Sequence, residues 1–77
     1  MKKEEIIKKV DEVLIDYFGT DRFNAKTDLI DDLGCDSIDC VEIIMELEKV
    51  FSITIKDADA EKCKTVQDIY DLIEKHL

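Results

Sequence analysis

Ser37 is the residue whose type and setting most directly suggest chemistry, because it lies within a long acidic segment. Between Asp28 and Glu48 the chain has eight acidic side chains and no Lys or Arg. A nucleophilic serine needs a general base, usually His or Lys, within hydrogen-bond reach. Neither type occurs within ten residues of Ser37, and His76 is the only histidine. We therefore expect no catalysis by Ser37, which resembles a substrate for another enzyme.

Cysteines and clustered acids raise the question of a metal site. Cys35, Cys40 and Cys63 lack paired CxxC spacing, so they predict neither a disulfide framework nor a zinc site, and we expect reduced thiols with at least Cys40 packed as a small hydrophobe. Acids at alternate positions from Asp57 suggest a calcium loop. However, its sixth residue is Lys62, where an EF-hand needs Gly, and its twelfth is Asp68 rather than Glu. We expect no metal site.

Composition limits the class of protein. With 77 residues, no Pro and 40% charged residues, the chain predicts one helical domain over 1–77, too small to enclose a complete enzyme active site. Its net charge of -9 argues against nucleic acid and anionic membranes and favours basic protein partners. No apolar run is long enough to span a bilayer, and the first residues lack a signal-peptide pattern. We expect a soluble, cytoplasmic monomer.

The elements that must position Ser37 begin with an amphipathic helix from about Lys3 to Phe18, which Gly19 ends. A long loop follows, in which Thr27 and Asp28 can cap a short turn and Gly34 permits a sharp one. The residues expected to pin this loop to the core are Phe23, Leu29, Ile30 and Leu33.

The second helix is expected to begin at Asp36 and to run to about Phe51. Asp36 is a good N-cap, and Asp39 falls at N3, where an acid favours the helix dipole. Ser37 then occupies N1 with an exposed side chain. A broad inward stripe comprises Cys40, Ile43, Ile44, Leu47 and Phe51.

A second apolar stripe on this helix has two interpretations. Ile38, Val41 and Met45 recur at helical spacing beside the acids Asp39, Glu42 and Glu48. The stripe either widens the core or forms an exposed strip, rimmed by carboxylates, that docks a basic partner.

The rest of the chain completes the predicted fold. Ser52 to Ile55 reads as a connector, and Asp57 to Lys62 as a short third helix. Thr65 and Asp68 form a capping box for a last helix that ends in the cations Lys75 and His76. Its apolar face comprises Val66, Ile69, Tyr70, Ile73 and Leu77. We predict an all-α fold: a small antiparallel four-helix bundle with three longer helices, one short helix and a long first loop.

These residues also resemble a known family over essentially the whole chain. The sequence Asp-Leu-Gly-Cys-Asp-Ser-Ile-Asp at 32–39 is similar to the Asp-Ser-Leu signature of acyl carrier proteins. Asp59-Ala60-Glu61 and the run Thr-Val-Gln-Asp at 65–68 resemble the family's third and fourth helices. The signature alone is short, but length, acidity and the downstream motifs agree with it.

The resemblance implies a carrier rather than an enzyme. In the family, the serine matching Ser37 is esterified with 4′-phosphopantetheine, which a magnesium-dependent phosphopantetheinyl transferase takes from coenzyme A. The thiol of that arm carries acyl groups as thioesters between enzymes, here most simply those of fatty acid biosynthesis. A cleft sheltering the acyl chain would involve Ile44, Leu47 and Ile73. Residues matching the family's docking surface for basic patches of synthase enzymes are Asp36, Ile38, Asp39, Val41, Glu42, Met45 and Glu48.

Departures from the family pattern leave the pathway open. Ile38 replaces the usual Leu, Cys35 and Cys40 stand where small or Thr-like residues are common, and Lys49 and Lys56 occupy positions that are often acidic and Pro. A stand-alone carrier for a polyketide, peptide or other specialised acyl group is therefore an alternative. Outside the family, the alternatives are an acidic protein-interaction module and a calcium-binding module.

Overall fold

Four helices make up the regular structure of residues 2–77, which the computed structural model describes. They are α1 (Lys3–Phe18), α2 (Ser37–Phe51), α3 (Asp57–Ala60) and α4 (Val66–His76). Within residues 2–77 the only β-type pairing is an isolated antiparallel bridge between Asp28 and Thr65. The prediction of an all-α fold with three longer helices and one short one is confirmed. The expected domain, 1–77, also includes residue 1, which lies outside the described residues.

Local sequence signals fix three helix boundaries. Gly19 ends α1 at a φ of 69°, a left-handed conformation that costs glycine little. Asp36 and Thr65 begin α2 and α4, each through a capping box. All three boundaries match the sequence prediction. Only α3 differs, since it ends at Ala60 rather than at Lys62.

Helices α2 and α4 both pack against α1, and α3 packs against α2. Leu14, Leu47 and Ile73 are among the fully buried side chains of the shared core. The prediction for the end of α4 was wrong: Leu77 is 51% exposed, and Leu72 is buried instead. None of the helices formed by residues 2–77 has the length and apolarity needed to cross a bilayer.

The long first loop is pinned to the core, as predicted, but by fewer residues. Leu29 is buried, and Phe23 and Leu33 are partly buried against the core. Ile30, also expected to be a pin, is 56% exposed. The carboxylate of Asp28 accepts hydrogen bonds from the backbone N–H groups of Ile30 and Asp31 at 2.9 and 2.8 Å. In this capped turn the side chain of Leu29 is buried in the core, whereas that of the adjacent Ile30 is exposed to solvent.

Backbone hydrogen bonds also attach this loop to the start of α4. Leu29 N–H donates to the Lys64 carbonyl at 2.9 Å, and Val66 N–H donates to the Thr27 carbonyl at 3.1 Å. Gly34 then turns the chain at a φ of 69° immediately before α2. The loop therefore presents the first turn of α2 from a fixed position on the bundle.

Candidate functional site

The first turn of α2 holds Ser37 at N1, in the predicted position. Asp36 Oδ1 accepts the N–H of Asp39 at 2.9 Å, and Asp39 Oδ2 accepts the N–H of Asp36 at 3.2 Å. Ser37 is exposed, and its hydroxyl makes no hydrogen bond with any other residue in the 2–77 range. The capping box thus fixes the backbone of Ser37 and leaves its side chain accessible.

Among residues 2–77, no histidine or lysine that could act as a general base lines the cavity next to Ser37, and no arginine does either. His76 lies at the end of α4, with its Nδ1 2.8 Å from the Leu72 carbonyl and its Nε2 3.8 Å from Asp59. The arrangement therefore favours Ser37 as an acceptor that another enzyme modifies.

A phosphate ester fits at Ser37 because helix starts favour anions. The first N–H groups of a helix have no intrahelical acceptor, and the helix dipole adds partial positive charge. In this helix the Asp39 N–H is bound by Asp36, while those of Ser37 and Ile38 have no acceptor within residues 2–77. Two backbone donors thus lie next to the serine oxygen.

Ser37 lies at the edge of a cavity of about 620 Å³, the Ser37 groove, which α2 and the α3 region enclose. Val41, Ile44 and Met45 line its α2 side, and Ala60 and Cys63 line the opposite side. Its volume is within the range of small-molecule sites. Of the three residues expected to form an acyl cleft, Ile44 borders this groove, whereas Leu47 and Ile73 are fully buried in the core.

An exposed apolar strip runs along α2. Ile38, Val41 and Met45 are 67%, 56% and 52% exposed, so this second stripe does not widen the core. Glu42 and Glu46 are exposed at helical spacing beside it. We call these five residues the α2 face. Glu46 was absent from the predicted docking set, although its spacing of four from Glu42 was a usable signal.

Tyr17 borders this face and was not predicted to do so. Its hydroxyl lies 2.6 Å from Asp39 Oδ1 and 2.7 Å from Glu42 Oε2. These two hydrogen bonds, that to Asp39 first, raise the pKa of Tyr17 above its ordinary range. The bond from Tyr17, followed by that from the Asp36 N–H, lowers the pKa of Asp39. Since 22 positions separate Tyr17 from Asp39, helical periodicity gave no sign of this contact.

Glu48 lies apart from the other predicted docking acids. It is half-buried, lines the Ser37 groove, and accepts the N–H of Ile55 through Oε2 at 3.0 Å. Through this hydrogen bond Glu48 holds the connector that follows α2 against the helix. Lys49 extends from the α2 face, where its Nζ lies 3.6 Å from Glu46 Oε1.

The three cysteines are free thiols. Cys40 is half-buried and packs against the core, as expected, and Cys35 is fully buried. The sulfurs of Cys35 and Cys40 lie 2.9 Å apart. Burial, followed by the hydrogen bond with Cys40, raises the pKa of Cys35. Burial also raises the pKa of Cys63, to about 11.

Known proteins share this arrangement over most of the chain. Residues 5–73 match the family described as the phosphopantetheine attachment site. An acyl carrier protein of Bdellovibrio bacteriovorus is 45% identical, with 87% of this chain and 88% of that protein covered. Another, of Thermotoga maritima, is 43% identical, with 97% and 95% covered.

A solved structure agrees with the sequence relatives. It is described as an acyl carrier protein from Mycobacterium tuberculosis and superposes with a TM-score of 0.85 at 35% identity, covering 91% of this chain and 96% of that one. Such carriers are not enzymes; a phosphopantetheinyl transferase modifies them, and acyl-processing enzymes use them. The chain belongs to the acyl carrier protein family and contains its phosphopantetheine attachment domain.

Proposed function

We propose that Ser37 is the residue that carries 4′-phosphopantetheine. The observation that carries this proposal is the exposed Ser37 hydroxyl at N1 of a capped helix, at the edge of an open groove and within the matched residues 5–73. When attached, the group supplies a terminal thiol that bears acyl chains as thioesters. The chain itself holds the attachment point still and offers backbone N–H groups to the phosphate.

The Ser37 groove is large enough to hold part of the phosphopantetheine arm or of the acyl chain attached to it. Ile44 and Ala60 contribute apolar surface to its lining, and Asp36, Glu48 and Glu61 contribute carboxylates. An acyl chain gains free energy by leaving water for such a surface, at about 25 cal/mol per Å² of apolar area buried. These carboxylates disfavour binding of a further negatively charged group beside the phosphate of the arm.

We propose fatty acid biosynthesis in the cytoplasm as the pathway, with the chain acting as a monomer and residues 1–77 as one carrier domain. Support comes from relatives of nearly equal length that are acyl carrier proteins. A specialised polyketide or peptide pathway is the second candidate, because Lys49 places a positive charge beside Glu46 at the end of the α2 face. The mass of the adduct on protein isolated from its native cell distinguishes the two.

The proposed partners are a magnesium-dependent phosphopantetheinyl transferase and synthase enzymes with basic patches. The α2 face offers them exposed apolar side chains beside Glu42 and Glu46. Asp36 and Asp39 add negative charge close to Ser37. Charge complementarity of this kind increases association rates and selects partners more than it adds affinity.

Loading with coenzyme A, magnesium and a phosphopantetheinyl transferase tests the attachment site. Intact mass should increase by one phosphopantetheine in the wild type and not at all in Ser37→Ala. Ser52, the only other serine, has a φ of 54° that glycine tolerates, so Ser52→Gly is a matched control that should load fully. Equal loading of Ser37→Ala and wild type would overturn the assignment.

A further inference from the structure

Two cysteines face each other across the start of α2, on either side of Ser37. Cys35 is 1% exposed and immediately precedes the N-cap, and Cys40 lies in the first turn of the helix. Their sulfurs are 2.9 Å apart. Since a disulfide has an S–S length of about 2.05 Å, the two sulfurs need to approach by only about 1 Å.

Helix geometry explains why these two positions meet. With Asp36 as the N-cap, Cys35 is N′ and Cys40 is N4. Apolar side chains at N′ and N4 commonly touch in the hydrophobic staple, which fixes the angle at which a chain enters a helix. Here both members of the staple are thiols, so the contact that orients the helix start can also become covalent.

We propose that Cys35 and Cys40 are a reversible oxidation site, forming a disulfide that closes a short loop around Ser37. The bond uses neither the Ser37 hydroxyl nor the α2 face. This inference does not depend on the group attached to Ser37, since it follows from the positions of the two thiols alone.

The oxidant is a low-molecular-weight disulfide such as oxidised glutathione. Cys40 is the accessible thiol, since it is half-buried and lines the Ser37 groove. Its thiolate attacks one sulfur of the small disulfide, whose S–S bond breaks and releases one small thiolate. Cys35 then loses its proton to solvent and attacks the Cys40 sulfur, which expels the second small thiolate. Two protein thiols are oxidised, and one small disulfide is reduced to two thiols.

Cys63 is the competing partner, because it lines the same groove as Cys40. It follows α3 and, together with Cys40, also lines a small cavity of about 10 Å³, whereas the Cys35 sulfur is already 2.9 Å from the Cys40 sulfur. The geometry therefore favours Cys35 as the thiol that resolves the mixed disulfide. Cys63→Ala provides a matched control that removes a thiol and keeps the pair.

The test uses wild type with no group attached to Ser37, so that its only thiols are the three cysteines. The protein is equilibrated with graded ratios of oxidised to reduced glutathione and alkylated under denaturing conditions, and its mass is then measured. Oxidised wild type should take up one alkyl group rather than three, and Cys63→Ala none rather than two. Peptide mapping should place the bond between Cys35 and Cys40. Cys35→Ala should accumulate a glutathione adduct on Cys40, and a reducing agent should restore all thiols.

Three results would overturn the proposal. The wild type could keep three alkylatable thiols at every ratio of oxidised to reduced glutathione, or its disulfide could include Cys63. Oxidation could also lower the unfolding temperature. Closing a short loop in the unfolded chain should instead raise that temperature by at least about 5 °C. The thiol count and the unfolding temperature are both measured on the wild type, so neither depends on whether a variant folds.

Discussion

Individual acids of the segment 28–48 have different roles, although the sequence presents them as one run. Asp28 holds the turn before Gly34 through two backbone N–H groups. Asp36 caps α2, and Glu48 fastens the connector that follows this helix. Glu42 is exposed on the α2 face and contacts only the Tyr17 hydroxyl among the hydrogen bonds of residues 2–77. Charge density marks the segment around Ser37, and hydrogen bonding separates its structural acids from the exposed acid Glu42.

Replacing the N-cap of α2 should reduce stability measurably. Asp36→Ala removes the acceptor for the Asp39 N–H, at a cost of about 1 kcal/mol in the free energy of unfolding, whereas Asp36→Asn retains a capping oxygen and should cost only a few tenths. Urea denaturation provides the measurement. Asp31→Ala is the matched control, since it removes an acid from the same segment whose side chain makes no hydrogen bond within residues 2–77. Equal losses for Asp36→Ala and Asp31→Ala would contradict the capping role.

Asp68 should make stability depend on pH in acid. The N–H groups of Lys64 and Thr65 donate to its Oδ2 at 2.8 and 3.0 Å and lower its pKa. A lowered folded pKa means that this contribution is present above the unfolded pKa of about 3.9 and is lost as pH falls through the folded one. Asp68→Asn should therefore unfold at a lower temperature than wild type at neutral pH, and this difference in unfolding temperature should shrink as the pH falls below about 4. Melts that differ equally at all pH values would refute this assignment.

For the helices, the sequence was sufficient to predict a boundary where that boundary depends on a local backbone requirement. Such requirements are a left-handed residue at a helix end and an acceptor for the free N–H groups at a helix start. Gly19 supplies the left-handed C-cap of α1, and the boxes that start with Asp36 and Thr65 satisfy free N–H groups at helix starts. Each signal lies within four residues of the boundary it marks. The position of Ser37 at N1 followed directly, so the core of the candidate site was predictable.

Features that depend on packing between distant segments were not predictable in this way. Leu29 and Ile30 are adjacent and equally apolar, yet only the loop's attachment to α4 determines which one is buried. Tyr17 is an aromatic residue near the end of α1, but its hydroxyl donates hydrogen bonds to Asp39 and Glu42 on α2. Hydrophobic periodicity predicts which face of a helix is apolar. It does not predict which residues of other helices contact the edge of that face.

The α2 face as an element should determine partner affinity. Glu42→Lys should weaken binding to a phosphopantetheinyl transferase about fivefold to tenfold at low salt, because it places a positive charge where a basic patch approaches. The difference should shrink at high salt as charges are screened. Titration calorimetry at two salt concentrations measures this.

Glu74→Lys provides the matched comparison for that experiment. It makes the same charge change on an exposed residue of α4, away from the α2 face. Its affinity should equal that of the wild type at both salt concentrations. Equal weakening by both variants would show that net charge, rather than the α2 face, controls binding.

The whole molecule carries its negative charge unevenly. Its net charge is -9, and outside residues 28–48 acids and bases nearly balance. Within residues 2–77 the only ion pair between a lysine and a carboxylate joins Lys49 to Glu46, and both partners are exposed. Exposed pairs contribute little to stability, so mutual repulsion among the remaining acids is largely uncompensated.

Salt that screens the repulsion among these acids should therefore stabilise the folded chain. We expect the unfolding temperature to rise by several degrees as sodium chloride increases from about 10 mM to 500 mM, because the Debye length falls from about 30 Å to a few ångströms. Residues 2–77 contain no group of three His, Cys, Asp or Glu side chains placed to hold a metal ion, so magnesium and calcium should act alike and without fixed stoichiometry.

Neutralising three exposed acids, in the triple variant Asp31→Asn, Glu42→Gln and Glu46→Gln, should reduce the salt dependence measured by calorimetry. A tight, stoichiometric calcium isotherm, or an unchanged salt dependence in the triple variant, would show that specific ion binding rather than diffuse repulsion governs stability.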